Sequence, residues 1–202
     1  MLVDIGGTIF FRSSEKSVRG GKFDFKQKGC MYFFRPGHRH FIKTLFDHPR
    51  ITFGFYSSIM LKNIVPVMYE ILTEDLMPCL NKFNVFDQSF SPLMKDHPYY
   101  TDIKTETYDR YRDLNEVFKS EICIKNGFSF NNTLLIDSDS DKVQLFLANS
   151  IVNEPYKMQD VQFIAHEDGS IRDKKWHEDH MSRLTDFVIA MADEADSVPE
   201  WL

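Results

Sequence analysis

The sequence predicts an α/β fold: a central, mostly parallel sheet flanked by helices, with a small β-hairpin inserted after the first strand. Three observations predict it. The chain opens on an apolar run that breaks into a glycine turn, strand-like and helix-like segments then alternate, and clusters of Asp and Ser recur where the strands end. In open sheets of this kind, ligands bind beyond the carboxyl ends of the strands.

Residues 1–11 (MLVDIGGTIFF) read as an apolar strand entering the turn, and apolar residues on both sides suit a strand buried between helices. Over residues 12–34, Gly20-Gly21, the alternation from Lys22 to Lys26 and the run from Cys30 to Phe34 predict the hairpin insertion. Arg35-Pro36-Gly37 opens a helix with Phe41, Ile42, Leu45 and Phe46 at helical spacing, closed by Pro49. Ile51 to Tyr56 supplies a strand that ends at Ser57-Ser58. Ile64, Val67, Met68, Ile71 and Leu72 share a helical face, which places Pro66 in the first turn.

Residues 74–111 yield only a short strand near 85–90 and a loop. Leu114, Val117 and Phe118 mark a helix that ends near Gly127, and Thr133 to Ile136 form a β-prone run ending in Asp137. Val143, Leu145 and Phe146 precede Asn149 and a short strand at Ile151-Val152. From Trp176, the spacing of Leu184, Val188 and Met191 predicts a docking helix, followed by a solvated acidic tail over 192–202. The division that follows is a main domain over 1–160 and a C-terminal helix and tail over 161–202.

A chain of 202 residues, 43% hydrophobic and with 19 Phe, can bury a sizeable single core. Its net charge of −6 argues against direct nucleic-acid binding, which needs clustered basic side chains. Cys30, Cys79 and Cys123 are odd in number and form no CxxC, so they suggest neither a disulfide framework nor a zinc site, and fit a reducing intracellular compartment. No apolar run approaches the roughly 20 residues that span a bilayer. The N-terminus does not read as a signal or transit peptide. Its abrupt start on a core strand leaves open whether an upstream segment was removed.

Three polar clusters lie at strand ends: Asp4 to Thr8, Ser57-Ser58, and Asp137 to Asp141. Asp4 is a carboxylate able to attack a phosphomonoester and form an acyl phosphate. Asp4, Asp137 and the Gly6 carbonyl are hard oxygen donors of the kind that suits Mg²⁺. The Ser57 hydroxyl and the Arg112 guanidinium are groups that hold phosphoryl oxygens, Arg as a two-pronged clamp. Taken singly each signal is weak, since Asp before a glycine turn is common and an Arg is more often a surface ion-pair residue.

In combination they are more specific. Val3-Asp4-Ile5-Gly6-Gly7-Thr8, Phe34-Arg35-Pro36-Gly37 with Phe41, Tyr56-Ser57-Ser58 with Lys62-Asn63, Arg112-Asp113-Leu114, and Leu134 to Ser138 with Lys142 and Asn149 stand in the order of one family's motifs. Over residues 1–157 the chain resembles the CTD-phosphatase (FCP/NIF) branch of the haloacid-dehalogenase superfamily. The resemblance implies a haloacid-dehalogenase-like Rossmannoid fold, Asp4 and Thr8 in the catalytic loop, Ser57 and Arg112 on phosphate, and Mg²⁺ held by Asp4, Gly6 and Asp137.

The departures from the pattern carry equal weight. Active members have a second Asp where this chain has Gly6, and that Asp protonates the leaving oxygen and then activates water. Such assistance is worth about 10²–10⁴ in rate. Asp139 and Asp141 lie close to the metal side and are candidates for a partial substitute for that acid; Arg112 stands where the family usually has Lys, and Ser138 where it has a second polar or acidic residue. The expectation is therefore a degenerate phosphatase-like domain serving as a scaffold or interaction subunit of a larger assembly. A mitochondrial or a nuclear setting both fit, since the phosphatase-like subunit of the mitochondrial presequence translocase belongs to the same branch. The alternative is an active Mg²⁺-dependent protein serine/threonine phosphatase.

Arg12, Lys16, Arg19, Lys22, Lys26 and Lys28 make the hairpin basic within an acidic protein. Solvated loop charge explains this, and so does a flap that attracts a phosphorylated or acidic protein segment. The pairs His38/His40 and His177/His180 read as ordinary surface histidines, so no transition metal is expected. The loop from Val3 to Thr8 also looks like the first phosphate loop of ROK-type sugar kinases, but the second phosphate loop and the longer chain of that fold are missing.

Overall fold

The computed structural model describes residues 1–14, 23–72, 74, 76–98, 109–157, 160 and 174–202. Five short parallel strands form the central sheet: β1 (Leu2–Val3), β5 (Gly54–Tyr56), β6 (Asn84–Phe86), β7 (Leu135–Asp137) and β8 (Ser150–Val152), in the order β6-β5-β1-β7-β8. The chain moves outward from β1 first to one side and then to the other, which makes β1 the switch point of an α/β sheet. A second, antiparallel sheet of β2 (Phe10–Ser14), β3 (Phe25–Gln27) and β4 (Cys30–Phe34) has the order β2-β4-β3.

The expected α/β architecture and the hairpin insertion are both present, but the first eleven residues do not form one strand. β1 stops after Val3, and the chain reverses through Gly7, whose φ of 82° is left-handed. The Ile5 carbonyl accepts from the amides of Ile9 (3.0 Å) and Phe10 (3.1 Å), so the second half of the apolar run starts β2 instead. β3 and β4 are joined by Lys28-Gly29, both at positive φ (49° and 75°), the backbone that matches strand twist in a two-residue hairpin. Lys16, Arg19, Gly20, Gly21 and Lys22 lie outside the described residues.

Helix α1 (His38–Asp47) begins after Gly37, whose φ is 85°. The predicted apolar face is buried through Phe41, Ile42 and Leu45. Helix α2 (Leu61–Ile71) starts five residues before Pro66, so this proline is interior and not in the first turn as the pattern implied. The early start has a partner from elsewhere in the chain: the Leu61 amide donates to the Asp87 carboxylate at 2.8 Å.

The single helix expected over 114–127 is two, α3 (Leu114–Phe118) and α4 (Glu121–Asn126), because Ser120 caps a new start by accepting from the Cys123 amide. Gly127 at φ 66° ends α4 as anticipated. Helix α5 (Lys174–Glu194) contains the expected docking face, with Met181, Leu184, Val188 and Met191 in the main core. The last residues are not wholly solvated, since α6 (Val198–Trp201) packs Val198 onto that same core.

The pleat decides what sits on each side of the sheet. Val3, Phe55 and Ile136 join the core under α1, α2 and α5, whereas Leu2, Tyr56 and Leu135 join a second core with Leu114, Val117 and Phe146. Residues two apart on a strand share a face. Parallel pairing aligns Leu2 with Gly54 and Leu135, so the same register carries Asp4 level with Tyr56 and Asp137, all toward α3.

The tight packing of α5 on the start of α1 can be tested at Gly37, where an added Cβ would lie 3.1 Å from the Met181 Cβ and 3.3 Å from the Glu178 Cα on left-handed backbone. Gly37→Ala is expected to lower the unfolding free energy by about 1–3 kcal/mol. Gly6→Ala, whose Cβ meets only the Asp4 carboxylate at 3.9 Å, should cost less. Urea denaturation of the two variants beside the parent checks this, and an unchanged midpoint for Gly37→Ala would refute the contact.

Candidate functional site

Asp4 and Asp137 meet at the carboxyl edge of the sheet, as their positions after β1 and at the end of β7 require. Between them lies Arg112, which donates from Nε to Asp137 Oδ2 and from Nη2 to Asp4 Oδ1, both at 2.6 Å. All three side chains are almost wholly buried. The third nitrogen, Nη1, donates to the hydroxyls of Ser58 (2.9 Å) and Ser91 (3.4 Å). The Tyr56 ring packs on the guanidinium, 4.7 Å from its Cζ, and the Arg112 amide donates to the Lys142 carbonyl at 2.8 Å. Tyr56 is itself fixed, donating its hydroxyl to the Phe90 carbonyl (2.5 Å) and accepting from the Asp113 amide (3.0 Å).

The other sequence candidates are placed less directly. Ser57 is buried at the end of β5, where its hydroxyl accepts from the Ile59 amide at 3.2 Å and so shapes the turn; Ser58, beside it, is the serine that reaches Arg112. Thr8 is fully buried, and its hydroxyl has no hydrogen-bond partner among the described residues. Gly6 contributes a carbonyl that accepts from the Ser138 hydroxyl at 3.2 Å. Asp139 donates its amide to Asp137 Oδ1 at 3.0 Å, and its carboxylate faces Lys142 Nζ at 3.5 Å. Asn149 is structural, donating to the carbonyls of Phe130 and Thr133.

The sequence pointed to the carboxylate pair and gave Arg112 to phosphate; the structure instead pairs Arg112 with both carboxylates and orients it through partners that the sequence did not single out. Ser58 lies in the Tyr56-Ser57-Ser58 motif, in which the resemblance points to Ser57. Ser91 lies in the stretch 74–111, which has no periodicity to read, and Tyr56 looked like one more strand aromatic.

Burial raises the Asp4 pKa most, and Asp137 raises it further; Arg112, Lys142 and the Gly6 amide oppose them, leaving it at about 7. Burial also works against the charge of Arg112, but Asp137 and Asp4 outweigh it and hold the guanidinium protonated above its ordinary range.

The fit of Mg²⁺ follows from these bonds. Mg²⁺ demands short, near-octahedral oxygen ligation. Each carboxylate has one oxygen on Arg112, whose guanidinium lies between the two acids; the second oxygen of Asp137 also accepts from the Asp139 amide, and the Gly6 carbonyl accepts from Ser138. The residues present do not fit Mg²⁺ at the expected ligands unless Arg112 gives way.

A cleft of about 310 Å³ opens at the opposite end of the strands, lined by Met1, Arg50, Thr52, Val188 and Val198 among others, and shares no residue with the Asp4 edge.

Fold and site together define an α/β domain with a buried carboxylate pair bridged by an arginine at the switch point of its sheet. No family model and no curated protein matches the sequence. Among solved structures the chain is similar to that of Fcp1, described as an essential RNA polymerase II CTD phosphatase, at 17% identity and a TM-score of 0.47, over 93% of this chain and 48% of that one. It is also similar to a variant of the fission yeast RNA polymerase II CTD phosphatase Fcp1 bound to beryllium fluoride, at 16% identity and a TM-score of 0.48, over 95% and 51%. The chain thus spans about half the length of these structures. At such identity and overlap the likeness carries no argument about chemistry, which has to come from the side chains.

The raised pKa of Asp4 has a definite sign in stability. An ordinary carboxylate titrates near ~3.9. With the folded value at about 7, the folded chain binds the extra proton in between, so the contribution of this group is complete below the ordinary value and is lost as pH rises through 7. The buried His38 ring, pushed down to about 4 by burial, contributes the opposite slope, so the comparison must be with a variant. Asp4→Asn is expected to remove the stability lost between about pH 4 and 7; denaturation series at several pH values measure it, and parallel curves for variant and parent would refute the shift.

Proposed function

We propose that this chain is a phosphatase-like domain of the FCP/NIF type that binds a phosphorylated or acidic protein segment and hydrolyses it poorly or not at all. The observation that supports it most is Gly6. Attack by an Asp4 oxygen on phosphorus forms the acyl phosphate and expels an alkoxide, which needs a proton as it leaves. The position two residues beyond the nucleophile faces the reacting carboxylate, since a Cβ built on Gly6 lies 3.9 Å from Asp4 Oδ2, yet that position holds no side chain. Aryl phosphates, whose leaving groups need little protonation, are the esters this residue set can still open.

The basic hairpin gives the bound segment a counter-surface. Lys28 donates from Nζ to Asn63 Oδ1 at 2.9 Å, which ties the β3–β4 turn to the first turn of α2, just past Ser57-Ser58. Arg12 and Lys26 lie on the same small sheet. On this reading the domain acts as an interaction subunit of a larger assembly, mitochondrial or nuclear. Among the described residues no helix is long and apolar enough to cross a membrane.

The test is turnover beside binding. Parent protein assayed with a phosphoserine peptide should show no hydrolysis above background, with slow release from p-nitrophenyl phosphate that is lost in Asp4→Asn. Gly6→Asp should raise turnover by about 10²–10⁴. Fluorescence anisotropy should detect the phosphopeptide bound to the parent and weakened by Lys26→Glu with Lys28→Glu. Hydrolysis of the phosphoserine peptide by the parent at a rate equal to Gly6→Asp would overturn the degenerate reading in favour of an active phosphatase.

A further inference from the structure

We propose that Arg112 is the resident cation of this site: its guanidinium fills the place between Asp4 and Asp137 where a divalent ion would bind, so the folded domain neither needs nor takes up Mg²⁺ there. The geometry of the fork carries this. The Nε–Nη2 edge of an arginine ordinarily clasps the two oxygens of a single carboxylate or phosphate. Here that edge is divided between two acids from β1 and β7, one oxygen each at 2.6 Å. Only a planar, delocalised cation has two donors spaced to do this; a lysine would offer one point charge on a flexible stem. The remaining nitrogen is held by Ser58 and Ser91, and the Tyr56 ring covers one face, so the guanidinium is positioned on three sides as a bound ion would be by its shell.

Two like charges buried side by side repel strongly and must be neutralised, by a proton, a metal or a side chain. In this chain one guanidinium is in place between the two acids and offsets one of the two charges. A divalent ion on the same oxygens would be brought against the guanidinium, and the departure of Arg112 would expose a charge with no buried partner. The inference concerns how the acidic pair is neutralised and stands whether or not the site binds a phosphorylated segment.

Thermal denaturation and isothermal titration calorimetry of the chelator-treated protein, with MgCl₂ as the probe, decide it without an activity measurement. The parent should show neither heat of binding nor a rise in Tm at concentrations up to the millimolar range, with NaCl of equal ionic strength as control. Arg112→Met should melt about 10 °C lower without metal and regain part of the loss when Mg²⁺ is added. Should that variant not fold, Arg112→Met combined with Asp137→Asn leaves a single carboxylate and is expected to recover a cooperative transition that Mg²⁺ does not move. Saturable Mg²⁺ binding by the parent with a rise in Tm would overturn the proposal. So would a folded Arg112→Met that ignores Mg²⁺, or a double variant that still requires it. Failure here leaves the phosphopeptide binding and Gly6→Asp results intact, and their failure leaves this measurement intact.

Discussion

The interaction on which the rest of this structure depends is the pair of 2.6 Å bonds from one guanidinium to Asp4 and Asp137. β1 is short, two residues laddered to β5 on one side and β7 on the other. Arg112 adds a charged link from the loop before α3 to the ends of both β1 and β7. Taking such charges out of water costs several kcal/mol per ion, and the cost is offset only when geometry is good and the remaining polar atoms are bonded. Here Ser58, Ser91 and the Asp139 amide supply those bonds. The cluster is thereby fixed as a unit, and loss of any member leaves buried polar groups without partners.

A second buried arginine performs an architectural task. Arg35, fully buried at the end of β4, donates to the Glu154 carbonyl at 2.5 Å and approaches the Tyr156 ring at 5.4 Å. It joins the hairpin sheet to the segment after β8, while Gly37 next to it admits α5 at close range. The segment Arg35-Pro36-Gly37, which the sequence offered as a helix start, therefore also makes the contact that docks the C-terminal helix. Nearby, Asn153 hydrogen-bonds His180 of α5 at 2.6 Å.

Together these features describe a site that is ordered before any ligand arrives. Preorganisation favours binding, because little has to be fixed on association. Hydrolysis asks for more: a nucleophile with a free lone pair and a proton donor at the leaving oxygen. On the proposed reading, position 6 is a glycine and supplies no such donor, so the arrangement favours recognition over turnover.

What the sequence determined by itself is the set of local rules. Apolar runs of strand length, the helical spacing of Phe41 to Phe46 and of Leu184 to Met191, and the glycines at 7, 37 and 127 specified the elements, and alternation between them specified an α/β sheet with Asp4 and Asp137 at its carboxyl edge. These are short-range properties, legible in a window of a few residues. Only the tertiary structure decided how the acidic pair is neutralised, because Arg112 lies 25 and 108 residues from the two acids and its partners Ser58, Ser91 and Tyr56 lie 21 to 56 residues away from it. The side a residue faces follows from strand register and pleat: the alignment of Leu2 with Leu135 turned both carboxylates toward α3. Parallel register of this kind is set by packing between distant segments, and no local window contains it.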